Sequence, residues 1–126
     1  MAKAVHNDVL DASLDKIATA GSLAVCSQQP TTRTEALVTY ALATQALTTG
    51  DGGGDYTVGE GDANGRKVAV AQQTGVTVTA TGSANHIALC DAVNLLYTTT
   101  CTSQVLSATG NTITIGTWDV EIADPV

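Results

Sequence analysis

Ala84-Asn85-His86-Ile87-Ala88-Leu89-Cys90-Asp91, then Leu95-Leu96-Tyr97-Thr98-Thr99-Thr100-Cys101, then Gly110-Asn111-Thr112-Ile113-Thr114-Ile115-Gly116-Thr117-Trp118-Asp119-Val120-Glu121-Ile122: three short β-prone runs, each closed by turn residues. A sheet written as successive hairpins reads this way. Working outward, residues 66–72, 76–80, 85–91, 95–102, 112–115 and 117–122 read as strands. The separators are Thr74-Gly75, Thr81-Gly82-Ser83, Val93-Asn94 and Thr109-Gly110-Asn111, all turn formers. Such regular short spacing predicts a mainly β fold, an antiparallel β-sandwich or small barrel, rather than βαβ units.

Upstream, Val9, Leu10, Leu14 and Ile17 recur at helical spacing, with Asn7 as N-cap, Asp8 and Asp11 in the first turn and Gly21 as a stop. They predict an amphipathic α-helix over about 8–19. At three turns it needs a sheet or a neighbour for its apolar stripe. Residues 23–27 read as a strand, ended by Gln28-Gln29-Pro30 because proline cannot donate to a ladder. A helical turn or a loop fits 32–38. Residues 40–47 alternate weakly, and their alanines leave a helix open as an alternative to a strand. About 50–65, rich in glycine and acidic residues, reads as a flexible loop ahead of the β-rich remainder of 22–122.

The 126 residues predict a single domain. Only 13% are charged and 3% aromatic, with no Phe, so the core must come from Val, Leu, Ile and Ala. A thin core of this kind, with many half-exposed Thr, favours a sheet with one wet face or one that finishes its burial against a partner. Twelve acidic against five basic residues give a formal charge of −7. That balance disfavours nucleic acid, which asks for clustered cations, and Arg66-Lys67 is the single basic pair. No stretch has the length and apolarity of a membrane helix, and the start lacks a basic-then-apolar signal. The expectation is a chain made in the cytoplasm, without a signal peptide and without a membrane partner.

The same residues carry a resemblance. The order of Asn85-His86 and Ala88-Leu89 before Asp91, Leu95-Leu96-Tyr97 with Thr99-Thr100-Cys101-Thr102, Gly110-Asn111-Thr112, and Trp118-Asp119-Val120-Glu121-Ile122-Ala123-Asp124-Pro125 resembles small structural proteins of tailed bacteriophages and prophages. It extends to His6-Asn7-Asp8-Val9-Leu10-Asp11, to Cys26-Ser27 with Pro30-Thr31-Thr32, and to Gly65-Arg66-Lys67-Val68, and so covers most of the chain. Two departures stand out: the segment 50–55 is glycine-expanded, and Cys90 replaces an aliphatic residue. The resemblance implies a virion protein at the capsid surface, foremost a decoration or cement protein that binds the major capsid protein or other virion proteins as a homo-oligomer. A head-fibre, collar or tail adaptor is the alternative, followed by a host-encoded small binding domain or hydrolase. No catalytic residues come with it.

The side chains that could carry chemistry are few. His86 and Cys90 stand four apart on one strand, roughly 13 Å between α-carbons, too far for a nucleophile and its base. The 85–91/95–102 hairpin puts Cys90 opposite Leu95 or Leu96, and Cys101 opposite Ala84 or Asn85. Cys90 and Cys101 are then too distant to bond. Cys26 would be half of any intrachain disulfide, leaving an odd thiol buried or joining two chains; alternatively Cys26, Cys90 and Cys101 are all buried thiols. The acidic glycine loop matches no calcium-binding order. Gly52-Gly53-Gly54 lacks the lysine and helix of a phosphate cradle. Trp118 and Tyr97 are expected to anchor the core or an interface, and Asp119, Glu121 and Asp124 to form a solvated face. The expectation is a non-enzyme without catalytic or metal residues and without a cofactor.

Overall fold

The computed structural model describes residues 4–124; Pro125, which closes the C-terminal motif, lies outside them. The fold is mainly β, with one helix, α1 (Asn7–Ile17), and nine strands: β1 (Ser22–Cys26), β2 (Ala41–Ala46), β3 (Tyr56–Glu60), β4 (Arg66–Val70), β5 (Gln73–Thr77), β6 (Gly82–Cys90), β7 (Leu95–Leu106), β8 (Thr112–Ile115) and β9 (Trp118–Ile122). All ladders between these strands are antiparallel, in three open sheets. No sheet of the described residues closes into a barrel. The chain forms two compact units, one from 48–72 with the N- and C-terminal segments, the other from 20–47 and 73–115.

In the first unit β4 lies between β3 and β9, with Tyr56 opposite Val70 and Val70 opposite Trp118. Tyr56, Val68 and Val70 are fully buried. Helix α1 starts one residue earlier than the sequence suggests. His6, not Asn7, is the N-cap, its Nδ1 accepting from the Asp8 amide at 3.1 Å. The helix ends at Ile17, before Gly21 can act as its stop. Leu10 and Leu14 are buried, and Arg66 ties the helix to β4 through a bidentate pair with Asp11 at 2.7 and 3.2 Å.

The glycine-rich stretch 50–65 is not one flexible loop: its middle is β3. The expectation failed because glycine and acidic content masked the alternation of Tyr56 and Val58 with Thr57 and Gly59. What precedes β3 is fastened to it. Gly52 N donates to the Tyr56 carbonyl at 2.9 Å, Asp51 Oδ1 accepts from Val58 N at 2.9 Å, and Asp55 Oδ2 accepts from Thr48 N at 2.6 Å. Gly50, Gly52 and Gly54 take positive φ there, so these glycines serve a specific turn.

In the second unit the strands run β2-β1-β6-β7. Register places Ala24 opposite Ala88 and Cys26 opposite His86, while Leu23 and Val25 meet Leu89 and Ile87. One face of β1 and β6 therefore carries the small residues Ala24, Cys26, Ala88 and Cys90, with His86 beside Cys26, and the other is aliphatic, because side chains alternate along a strand. Residues 32–38 resolve into a π-helical turn, Glu35–Thr39. Ala36, Leu37 and Tyr40 of this region pack on the small-residue face, where the absence of bulk lets the Ala36 carbonyl approach Cys26 Sγ to 3.4 Å. Residues 40–47 resolve as strand β2, and β5 pairs with β8.

Candidate functional site

The three cysteines are free thiols; Cys26 and Cys90 are fully buried and Cys101 is partly exposed. Cys90 stands opposite Leu95, one of the two partners the hairpin allowed, after a register shift that skips Leu96. Cys101 falls in a bulge: Ala84 pairs with Gln104 and His86 with Thr100, so 101–103 face a single residue of β6. Sequence reasoning missed that Cys26, not Cys90, lies across from His86. That neighbourhood depends on the register of two strands about sixty residues apart, which no local spacing reports. The pairing does not activate the thiol. Cys26 donates to a backbone carbonyl, and burial, aided by Cys90 and Cys101, pushes its pKa up to about 11. Burial likewise raises Cys90 and Cys101.

A thiol titrating near 9 in an unfolded chain and about 11 here keeps its proton longer when folded. Its contribution to stability is complete below pH 9 and is lost as pH rises toward 11. We expect Cys101 to react first with an alkylating reagent at pH 8, and Cys26 and Cys90 only upon unfolding. Mass spectrometry of partly alkylated protein checks the order, and early labelling of Cys26 would contradict it.

The basic pair of the sequence is fully engaged within the first unit. Arg66 Nη1 reaches Glu60 at 2.8 Å besides Asp11, and the bond to Asp11 is the main cause of its raised pKa. Lys67 Nζ lies 2.6 Å from Asp62 and 3.6 Å from Asp119. Asp62, Asp119 and Glu121 bring carboxylates within 4.8 Å of one another, but Glu121 Oε1 accepts the Asp62 amide and the Lys67 ammonium supplies the positive charge. The arrangement is an exposed ion-pair network, with Asp119 and Glu121 on the solvated face of β9 as alternation predicts. In the second unit Glu35 is held by the Thr31 amide and hydroxyl at 2.8 and 2.6 Å and by the Tyr40 hydroxyl at 3.2 Å. These bonds, those from Thr31 foremost, hold its carboxyl below the usual range. Arg33 Nε donates to the Asp91 carbonyl at 2.8 Å, fastening this segment to the β6–β7 turn.

Tyr97 and Trp118, expected as anchors, are both half-buried; the fully buried aromatic is Tyr56. A groove of about 150 Å³ in the second unit, bordered by Val78, Gln104, Leu106 and Asn111, is below the roughly 300–1,000 Å³ usual for small-molecule sites.

The remaining candidate is a sheet edge. Strand β7 spans 12 residues, Leu95–Leu106, with no charged side chain and no proline, and lies at the end of its sheet. Other edges are managed differently. At β2, Leu42 O accepts from Thr79 N and Ala80 N, and Ala43 bridges Val78. The 51–52 turn covers β3, while β9 carries Asp119 and Glu121. Strand β8 has only four residues. Natural proteins close or charge their edges because open backbone pairs with other chains, and β7 carries no such charge. Comparison with protein-family models, curated proteins and solved structures gives no match to this chain.

Proposed function

We propose that this chain is a non-catalytic building block of a tailed-phage particle, a decoration or cement protein that docks on the outer surface of the head. The single structural observation supporting this reading is that β7, uncharged throughout Leu95–Leu106, is the terminal strand of its sheet. Such an edge serves assembly through backbone pairing rather than chemistry at a cleft. The sequence resemblance supplies the setting. The acidic balance suits a surface turned away from packaged nucleic acid. Its partners in this reading are the major capsid protein, other virion proteins and further copies of itself.

Quantitative mass spectrometry of purified particles tests the assignment. A decoration protein is expected at a copy number comparable to the major capsid protein. Recovery at the far lower number of one collar or tail ring would move the assignment to an adaptor there, and absence from particles would remove the virion reading.

A further inference from the structure

We infer that Asn64 is a self-modifying site: its side-chain amide condenses with the Gly65 backbone nitrogen, and the isoaspartate that results loosens β9 from β4. In the first step the Gly65 N–H gives its proton to hydroxide and the nitrogen attacks Asn64 Cγ. The bond from Cγ to the side-chain nitrogen breaks, and that nitrogen takes a proton from water and leaves as ammonia. Water then opens the succinimide at either carbonyl. One opening leaves aspartate, the other isoaspartate, whose main chain runs through the side-chain carbons.

Of the five asparagines only Asn64 precedes a glycine, which has no Cβ to shield the attacking nitrogen. The turn leaves that nitrogen unengaged: Gly65 accepts from Gly61 N at 3.0 Å through its carbonyl, while its own N–H has no hydrogen-bond partner among the described residues. The electrophile is held and polarised. Asp124 N–H donates to Asn64 Oδ1 at 2.9 Å, the oxygen on which negative charge gathers as the nitrogen adds, so the donor stabilises that intermediate. Asn64 is exposed to the water of the second step. Asp51-Gly52 is the matching aspartyl-glycine pair, but there Gly52 N donates to the Tyr56 carbonyl at 2.9 Å and is not available to attack.

The surroundings of Gly65 decide what the product does. Gly65 is buried, and even a methyl group on it would collide with the Ile122 carbonyl oxygen and crowd Ala123 Cα. Isoaspartate inserts an extra carbon into the main chain directly before this residue, so the end of β9 must yield. Aspartate inserts none, and its carboxylate still accepts from the Asp124 N–H.

Peptide mapping by mass spectrometry of the purified full chain, held over time in neutral and in mildly alkaline buffer, reads the conversion. With its nitrogen unhindered and its amide held, Asn64 is expected to convert at least about tenfold faster than the other asparagines, and faster still as hydroxide rises. Asn64 is exposed and has no left-handed φ, so Asn64→Gln and Asn64→Asp should fold as the wild type does. Asn64→Gln, which must close a larger ring, should keep its mass and its melting temperature through the same incubation. The aged wild type should gain a lower-melting fraction in proportion to its isoaspartate, measured with an isoaspartyl methyltransferase, whereas fresh Asn64→Asp should melt with fresh wild type. Asn64 converting no faster than the other asparagines, or converting only in urea, overturns the site. Conversion to aspartate alone, or aged protein that melts with Asn64→Asp despite its isoaspartate, overturns the loosening of β9.

Discussion

Tyr56→Ala is expected to lower stability by about 3–5 kcal/mol, the cost of removing a large buried aromatic and leaving its cavity. Tyr56 opens β3, is fully buried, and pairs with Val70 at one end of the β3–β4 ladder. Burial first, and the negative charge of Asp55 second, push its hydroxyl well above the ordinary tyrosine range, as expected of a phenol kept neutral and out of water. Against a typical total stability of about 5–15 kcal/mol, the loss is a large share, and Tyr56→Phe should cost far less. Urea denaturation followed by the fluorescence of Trp118, the one tryptophan and a residue of the same unit, measures both. A change below about 1 kcal/mol, the scale of ordinary surface substitutions, would mean that β3 does not close over the sheet.

Gly65→Ala should be the most damaging of the glycine replacements. Gly65 has φ +73°, where L side chains rarely sit, and an added Cβ would collide with the carbonyl oxygen of Ile122 and crowd Ala123 Cα. Both obstacles are backbone, so relief requires β9 to move from β4. The left-handed conformation alone costs about 1–2 kcal/mol for an L residue, and the collision adds to it. Gly110, at φ +86° with open space around its Cβ position, isolates the conformational part. Thermal melts of Gly65→Ala and Gly110→Ala should separate clearly, with Gly65→Ala melting lower. Equal melting temperatures would show that the β4–β9 junction yields freely.

What could be read in the sequence is what short-range rules control. The β6–β7 hairpin follows from period-2 alternation and a turn at Val93-Asn94, so Cys90 opposite Leu95 or Leu96 was legible, and a register shift at Leu96 settles it on Leu95. Its bulge was not: Thr100-Cys101-Thr102-Ser103-Gln104 offers no apolar alternation to pin a register. Strand β3 was hidden because five residues with Tyr56 and Val58 between glycines weigh little against a composition that reads as loop. His6 took the cap from Asn7 because its ring nitrogen reaches the Asp8 amide, a competition that side-chain preference alone ranks the other way. The candidate site was the least legible part. Individual residues of β7 say nothing of whether the strand lies inside a sheet or at its rim. Its open edge follows from strand order, and strand order follows from pairings between residues far apart in the chain.

The composition of the first unit sets an order of events at the ribosome. Residues 20–47 and 73–115, which make up the second unit, have all been synthesised before β9 exists, whereas β4 waits for residues 118–122 to cover its second edge. During that interval α1 and the β3–β4 hairpin are already available, and β4 shows a bare backbone beside Val68 and Val70. Arg66 and Lys67 sit at the head of that strand. Before their β9 neighbours arrive, these two cations are the kind of charged guard that keeps a temporary edge from pairing with another nascent chain. The ion pairs of the mature protein thus sit on a strand whose second edge closes only when residues 118–122 have been made.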